Sequence, residues 1–140
     1  MLQLQERIIA LPSDPLRIVE AENLVEEIRQ ELGLSEEQNG NVLLCVTEAV
    51  RNAMQHGNRM DPSKAVRIHV QQLDDILLIS VQDEGSGFDF EHLPDPTAPE
   101  NLEKLTGRGV FLIRQLADET GFENNGSGIV MKFHLSAPAA

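Results

Sequence analysis

The strongest constraint on the fold is a pair of strands read between residues 66 and 82. Val66, Ile68 and Val70 alternate with Arg67, His69 and Gln71, the pattern of a strand with one buried and one wet face. Asp74-Asp75 turns the chain, and Ile76–Gln82 follows as a nearly continuous apolar strand. Two such runs joined by a short turn pair as an antiparallel hairpin. Its apolar face then requires a second layer to cover it.

Two amphipathic stretches upstream supply that layer. Ile18, Ala21, Val25, Ile28 and Leu32 recur at spacings of three and four, which predicts a helix over Leu16–Leu32. Ser13-Asp14-Pro15 is its start signal and Gly33 its stop. Ser35-Glu36-Glu37-Gln38 has capping-box spacing and opens a second helix that runs to about His56. Val42, Cys45, Val46, Ala49, Ala53 and Met54 give it an apolar side, and Gly57-Asn58 ends it. Leu4–Leu11, closed by Pro12, is an opening strand.

After the hairpin the chain changes character. Asp83–Asp89 is glycine-rich, and Glu91–Thr106 carries Pro94, Pro96 and Pro99 with no hydrophobic period, the mark of a functional lid or a disordered segment. Val110–Ala117 resumes helical spacing, Asn124–Gly128 is a turn, Ile129–Leu135 is a final alternating strand, and 136–140 is a frayed tail. The order of strand, two helices, two strands, helix and two strands predicts an α/β two-layer sandwich. Its sheet is mostly antiparallel, with helices on one face. No repeat or linker divides residues 1–140, so one domain is expected.

Composition narrows the function. With 140 residues, 41% hydrophobic and 24% charged, the chain suits a soluble globular domain. A formal net charge of −12 repels nucleic-acid phosphates, and no basic patch offsets it, so direct nucleic-acid binding is not expected. The same charge opposes any nucleotide, which would need Mg²⁺, backbone N–H groups and a well-placed arginine. The charge serves solubility or the choice of a basic partner, and both readings stand. No apolar run is long enough to span a bilayer, the N-terminus lacks signal-peptide character, and the lone Cys45 offers neither a disulfide nor a zinc cluster. A cytoplasmic location is the expectation.

Three segments carry chemistry. Glu48, Asn52 and His56 fall four apart on the second helix and project from one face. Asn52 can offer an oxygen to Mg²⁺, and Glu48 can act as a base toward a nucleophile; a solvated helix face explains the same stripe taken alone. Asp83-Glu84-Gly85-Ser86-Gly87-Phe88-Asp89 places a carboxylate at a strand end, where it can accept from an exocyclic amine. Its glycines permit close backbone approach, although a hairpin turn accounts for them as well. Gly107-Arg108-Gly109-Val110 stands where a polar loop meets a helix, a setting that favours anions. There Arg108 is either a phosphate contact or a solvated charge.

Taken in this order, the three segments resemble the motifs of the GHKL ATPases, the superfamily of gyrase, sensor histidine kinases and MutL. Glu48-Ala49-Val50-Arg51-Asn52-Ala53-Met54-Gln55-His56-Gly57 resembles the N box, Asp83–Phe88 the first glycine box, and Gly107–Ile113 the second. The His-Gly and Gly-Phe-Asp endings and the short chain resemble one branch, the bacterial anti-sigma factor serine kinases. The resemblance implies a Bergerat α/β sandwich holding ATP and Mg²⁺ beneath a mobile lid at about 91–106. Matching positions make Glu48 the general base, Asn52 the Mg²⁺ ligand and Asp83 the adenine-amine acceptor. Gly85 and Gly87 would shape the base pocket, and Gly107, Arg108, Gly109 and Val110 would form the phosphate end, with Arg108 aiding transfer. In one respect the chain departs from the family, which often has a threonine after a glycine near the last strand. Here Ile129 follows Gly128, which leaves Ser127 or a water to replace that hydroxyl.

The implied function is a protein serine/threonine kinase and anti-sigma factor. Its partners would be a sigma factor and an anti-anti-sigma protein that it phosphorylates, with no membrane partner and with a homodimer as a further expectation. Two rivals stand beside it. A nucleotide-gated binding module without kinase activity is opposed by Glu48 and Asn52 and favoured by Ile129. A detached histidine-kinase catalytic domain would need a helical hairpin bearing the accepting histidine. Of His56, His69, His92 and His134, only His92, in the lid, is loosely placed for that role.

Overall fold

The computed structural model describes residues 3–87 and 105–135. Among the described residues five strands form one sheet: β1 (Arg7–Pro12), β2 (Ala65–Leu73), β3 (Ile76–Gln82), β4 (Glu119–Glu123) and β5 (Gly128–His134). Their order is β1-β2-β3-β5-β4, and all four neighbouring pairs are antiparallel. Three helices, α1 (Ile18–Leu32), α2 (Glu36–Asn52) and α3 (Leu105–Leu116), complete the two-layer sandwich.

The core lies between these layers. Val66, Ile68 and Val70 of β2 are fully buried, as the alternation requires. In β3 the burial alternates too, with Leu77, Ile79 and Val81 inward and Ile76, Leu78 and Ser80 only partly covered. Antiparallel register places Val81 beside Ile129, Ile79 beside Met131 and Leu77 beside Phe133, which continues the buried face into β5. Ala21, Leu24, Val25 and Ile28 of α1 and Val42, Cys45, Val46, Ala49 and Val50 of α2 close over it. Each large aliphatic side chain sealed this way contributes about 1.5–3 kcal/mol.

Local signals set the helix ends. Ser35 Oγ accepts from Gln38 N at 3.1 Å, a cap contributing about 1 kcal/mol. The reciprocal half of the capping box is absent, because Gln38 Nε2 instead donates to His134 O at 3.1 Å and ties α2 to the end of β5. Gly33 ends α1 in the left-handed region at φ 65°, its N–H bonded to Arg29 O at 2.8 Å.

Some boundaries differ from the sequence reading. β1 begins at Arg7, not Leu4, because Leu4 N is taken by the Gln72 side chain (2.7 Å) outside the ladder. The first turn of the expected Leu16–Leu32 helix is a 3₁₀ turn, Pro15–Arg17, capped by Asp14. The second helix keeps α-helical geometry only to Asn52. Ala53–Gly57 widens into a π turn, in which Asn58 N bonds to Ala53 O at 2.8 Å.

Candidate functional site

The C-terminal end of α2, its π turn, α3 and the ends of β3 and β5 surround an open cleft. Its walls are apolar: Ala49, Ala53, Val81, Val110, Ile113, Phe122 and Ile129. A few polar groups converge on it, namely Asn52, His56, Asp83 and Ser127.

Asp83 leaves the end of β3 into this cleft. Its N–H donates to Ser127 O at 2.9 Å, and its Oδ1 accepts from Gly85 N at 2.7 Å. Burial pushes the carboxyl above its ordinary pKa, and the Gly85 N–H opposes that shift by stabilising the anion. Glycines make this packing possible. A Cβ at Gly57 would lie 2.1 Å from Asp83 Oδ2, and one at Gly85 would lie 2.2 Å from Gly57 O. Gly87 has φ 89°, and a Cβ there would meet Asn125 O at 1.9 Å.

Asn52 sits across the cleft against α3. A Cβ at Gly109 would meet Asn52 Nδ2 at 2.3 Å, so the glycine makes room for that amide. Gly107, Arg108 and Gly109 all lie within α3, which starts at Leu105, so the loop-to-helix junction falls earlier than expected. A helix start leaves its first four N–H groups without intrahelical partners. Val110 is buried and lines the cleft, whereas the Arg108 side chain lies outside the described residues. The expected lid, 91–106, His92 included, lies outside the described residues except for Leu105 and Thr106, which open α3.

The stripe of Glu48, Asn52 and His56 divides. Asn52 and His56 line the cleft, while Glu48, one turn earlier, forms an ion pair with Arg51 and does not. His56 stands on the π turn and is exposed. The Ser127 hydroxyl is committed elsewhere: it donates to Asn124 O at 2.8 Å and accepts from Gln82 Nε2 at 2.8 Å. It therefore does not stand in for the missing threonine, and Ile129 presents a purely apolar wall beside Asp83.

Sequence reasoning missed Gly57 as a contact of Asp83, Phe122 as a wall and Gln82 as a brace. Phe122 lies in the acid-flanked run Glu-Thr-Gly-Phe-Glu, which has no clear strand pattern. Arg114 caps its ring from α3, 5.5 Å from the centroid.

The residues fit a purine nucleotide with its metal. Flat apolar walls suit a base, an acceptor-only carboxylate at the inner end suits an exocyclic amine, and the Asn52 amide offers an oxygen to a hard cation. Among the described residues no three His, Cys, Asp or Glu side chains gather as a metal site. That is compatible with Mg²⁺, which commonly keeps water and phosphate oxygens as most of its ligands.

The fold and cleft thus define a nucleotide-binding α/β sandwich. Residues 11–133 match the histidine kinase-like ATPase domain, and the chain belongs to that family of ATP-binding domains. It is 28% identical over 127 residues to the serine-protein kinase RsbW of Oceanobacillus iheyensis, covering 86% of this chain and 80% of the relative. The Bacillus subtilis serine-protein kinase RsbW is 28% identical over 110 residues, with 74% and 68% covered. The anti-sigma F factor of Geobacillus kaustophilus is 36% identical over 102 residues, with 68% of each chain covered. No helix among the described residues is long and apolar enough to cross a membrane.

Proposed function

We propose that this chain is an ATP-dependent protein serine/threonine kinase and anti-sigma factor that works by partner switching. It sequesters a sigma factor and transfers the γ-phosphate of ATP to a serine or threonine of an anti-anti-sigma protein. The observation that carries the reading is the convergence of Asn52, packed against Gly109, and Asp83 on one apolar cleft in a chain related to serine-protein kinases and an anti-sigma factor.

In this reading Asp83 accepts the adenine amine, and Gly85 N–H holds the carboxylate in place for it. Val81, Val110, Ile113 and Ile129 exclude water from the base. Asn52 binds Mg²⁺, whose charge neutralises the phosphates in a chain of net charge −12. Glu48 takes the proton of the incoming hydroxyl, which requires its carboxylate to leave Arg51 for the substrate. Gly107, Arg108 and Gly109 serve the phosphate end, residues 91–106 act as a lid, and the protein works in the cytoplasm as a homodimer. Incubation with labelled ATP, Mg²⁺ and each candidate antagonist protein of the same genome tests the assignment. Label should appear on a serine or threonine of one antagonist; ATP binding with no transfer to any of them would favour the nucleotide-gated binding module instead.

A further inference from the structure

Asn58 follows the histidine-glycine pair that closes the π turn, a position where asparagine reads as a simple helix stop. In the structure it is 1% exposed and its side chain is fully engaged. Nδ2 donates to Ser13 Oγ at 2.9 Å and to Ala65 O at 3.0 Å, while Oδ1 accepts from Glu84 N at 2.7 Å. One amide therefore joins the end of β1, the start of β2 and the segment that follows β3. Ser13 in turn bonds to Lys64 O through both its hydroxyl (2.8 Å) and its N–H (3.1 Å), which makes this corner rigid.

We infer that Asn58 is a positioning residue for base recognition, acting through the backbone around Asp83; the inference rests on the proposed role of Asp83 toward adenine. Asp83 is pinned on both sides, its own N–H by Ser127 O and the next N–H, that of Glu84, by Asn58 Oδ1. These two bonds fix where the side chain leaves the backbone. The Asn58 clasp also presses the adjoining Gly57 against the Asp83 carboxylate and against Gly85, the close approaches that forbid a Cβ at either glycine. Only a side chain that donates twice and accepts once satisfies all three neighbours, which selects an amide over an acid or a hydroxyl. Without Oδ1 the Glu84 N–H loses its partner and only the bond from Ala65 N to the Glu84 carboxylate holds the segment, so Gly85 N–H shifts from Asp83 and the acceptor loses its aim.

Three variants separate this role from a merely structural one. Asn58→Ala removes the clasp, Asn58→Asp keeps an oxygen for Glu84 N–H but loses both donors, and Glu84→Pro deletes the N–H that Asn58 accepts together with the carboxylate that accepts from Ala65 N. Calorimetry with Mg-ATP and Mg-GTP and amide exchange of the nucleotide-free chain are read for each. Asn58→Ala and Glu84→Pro should reduce the ATP-over-GTP preference about tenfold while kcat at saturating ATP stays within about threefold. In both, Gly85 amide exchange should rise at least tenfold. Asn58→Asp should lower thermal stability yet keep the parental base preference. If Asn58→Ala does not fold, Glu84→Pro carries the same test when read against Glu84→Ala, which loses the carboxylate bonded to Ala65 N but keeps the N–H that Asn58 accepts. Parental base preference together with parental Gly85 exchange in a folded Asn58→Ala or Glu84→Pro overturns the inference. A parent chain that binds neither nucleotide overturns the functional reading instead, and Gly85 exchange still decides the positional role.

Discussion

Replacing Gly109 by alanine should separate folding from function, with effects of opposite sign. Gly109 lies inside α3, where glycine costs about 0.5–1 kcal/mol relative to alanine. On propensity alone the substitution stabilises the chain and raises its melting temperature by about 2–4 °C. The new methyl has one serious collision, with the Asn52 side chain: 2.3 Å to Nδ2, 3.0 Å to Cγ and 3.1 Å to Oδ1. Ordinary contact begins at 3.4 Å, so the amide must retreat by about 1 Å. It is the far end of a side chain facing an open cleft, so it can swing aside without disturbing the core. A hydrogen bond or ligand contact to a charged group contributes about 1.5–3 kcal/mol, so losing the one from Asn52 weakens Mg-ATP binding about 10- to 100-fold. Thermal unfolding of the nucleotide-free chain and titration calorimetry with Mg-ATP read the two effects separately. Parental affinity in a stably folded Gly109→Ala would refute the assignment of Asn52. A loss of more than about 2 kcal/mol of stability would show that the glycine serves packing first.

Other outcomes follow from the same geometry. Asn52→Ala should weaken Mg-ATP binding, whereas Glu48→Gln, outside the cleft, should leave binding largely intact and slow transfer by about 10²–10⁴-fold in a labelled-phosphate assay; equal losses of binding would erase the division of roles. Asp83→Asn should abolish the preference for ATP over GTP while stabilising the nucleotide-free fold near neutral pH. The sign follows from linkage: burial raises the Asp83 pKa above 3.8, so the native state holds its proton more tightly than the unfolded chain. Its contribution is therefore fully present below 3.8 and lost as pH rises through the raised value. In paired denaturant titrations the advantage of the asparagine variant should shrink toward zero as pH falls to that range; a constant gap would place its origin elsewhere. Cys45 is buried and its thiol is pushed up to about 12, so iodoacetamide should label it only through unfolding. Labelling at neutral pH as fast as a free thiol would show that the core opens there.

The fold was legible where the local pattern and the tertiary outcome agree. Alternation at Val66, Ile68 and Val70 and the serine at the head of α2 each act within a few residues, and both appear as read. β3 looked almost uniformly apolar, yet burial alternates along it, because one face meets the helices and the other faces away from them. β4 carries little strand pattern of its own and owes its form to pairing with β5 along Glu119–Glu123. The π turn after Asn52 was not legible, since no side chain there signals a widened turn; it is specified by the bond that Asn58 makes back to Ala53.

The site divides the same way. Asn52, Asp83, Gly85, Gly87, Gly109 and Val110 were named from motif order, and the structure brings them around one corner of the sandwich. Glu48 was placed on the same stripe, but helical spacing says only which side chains share a face, and its ion pair with Arg51 turns it from the cleft. Gly57, Gln82 and Asn58 escaped notice because their importance lies in distant partners: Asp83 for the first, Ser127 and Asn124 for the second, Ser13 and Glu84 for the third. No window of neighbouring residues contains those pairs.

A structure of the chain with Mg²⁺ and a non-hydrolysable ATP analogue tests the central claim most directly. The adenine amine should lie within hydrogen-bonding distance of the Asp83 carboxylate, the ring between Val81, Ile129 and Val110, and the metal on the Asn52 oxygen. A nucleotide bound elsewhere, or in this cleft with its phosphates turned toward Asp83 and its base toward Asn52, would contradict it.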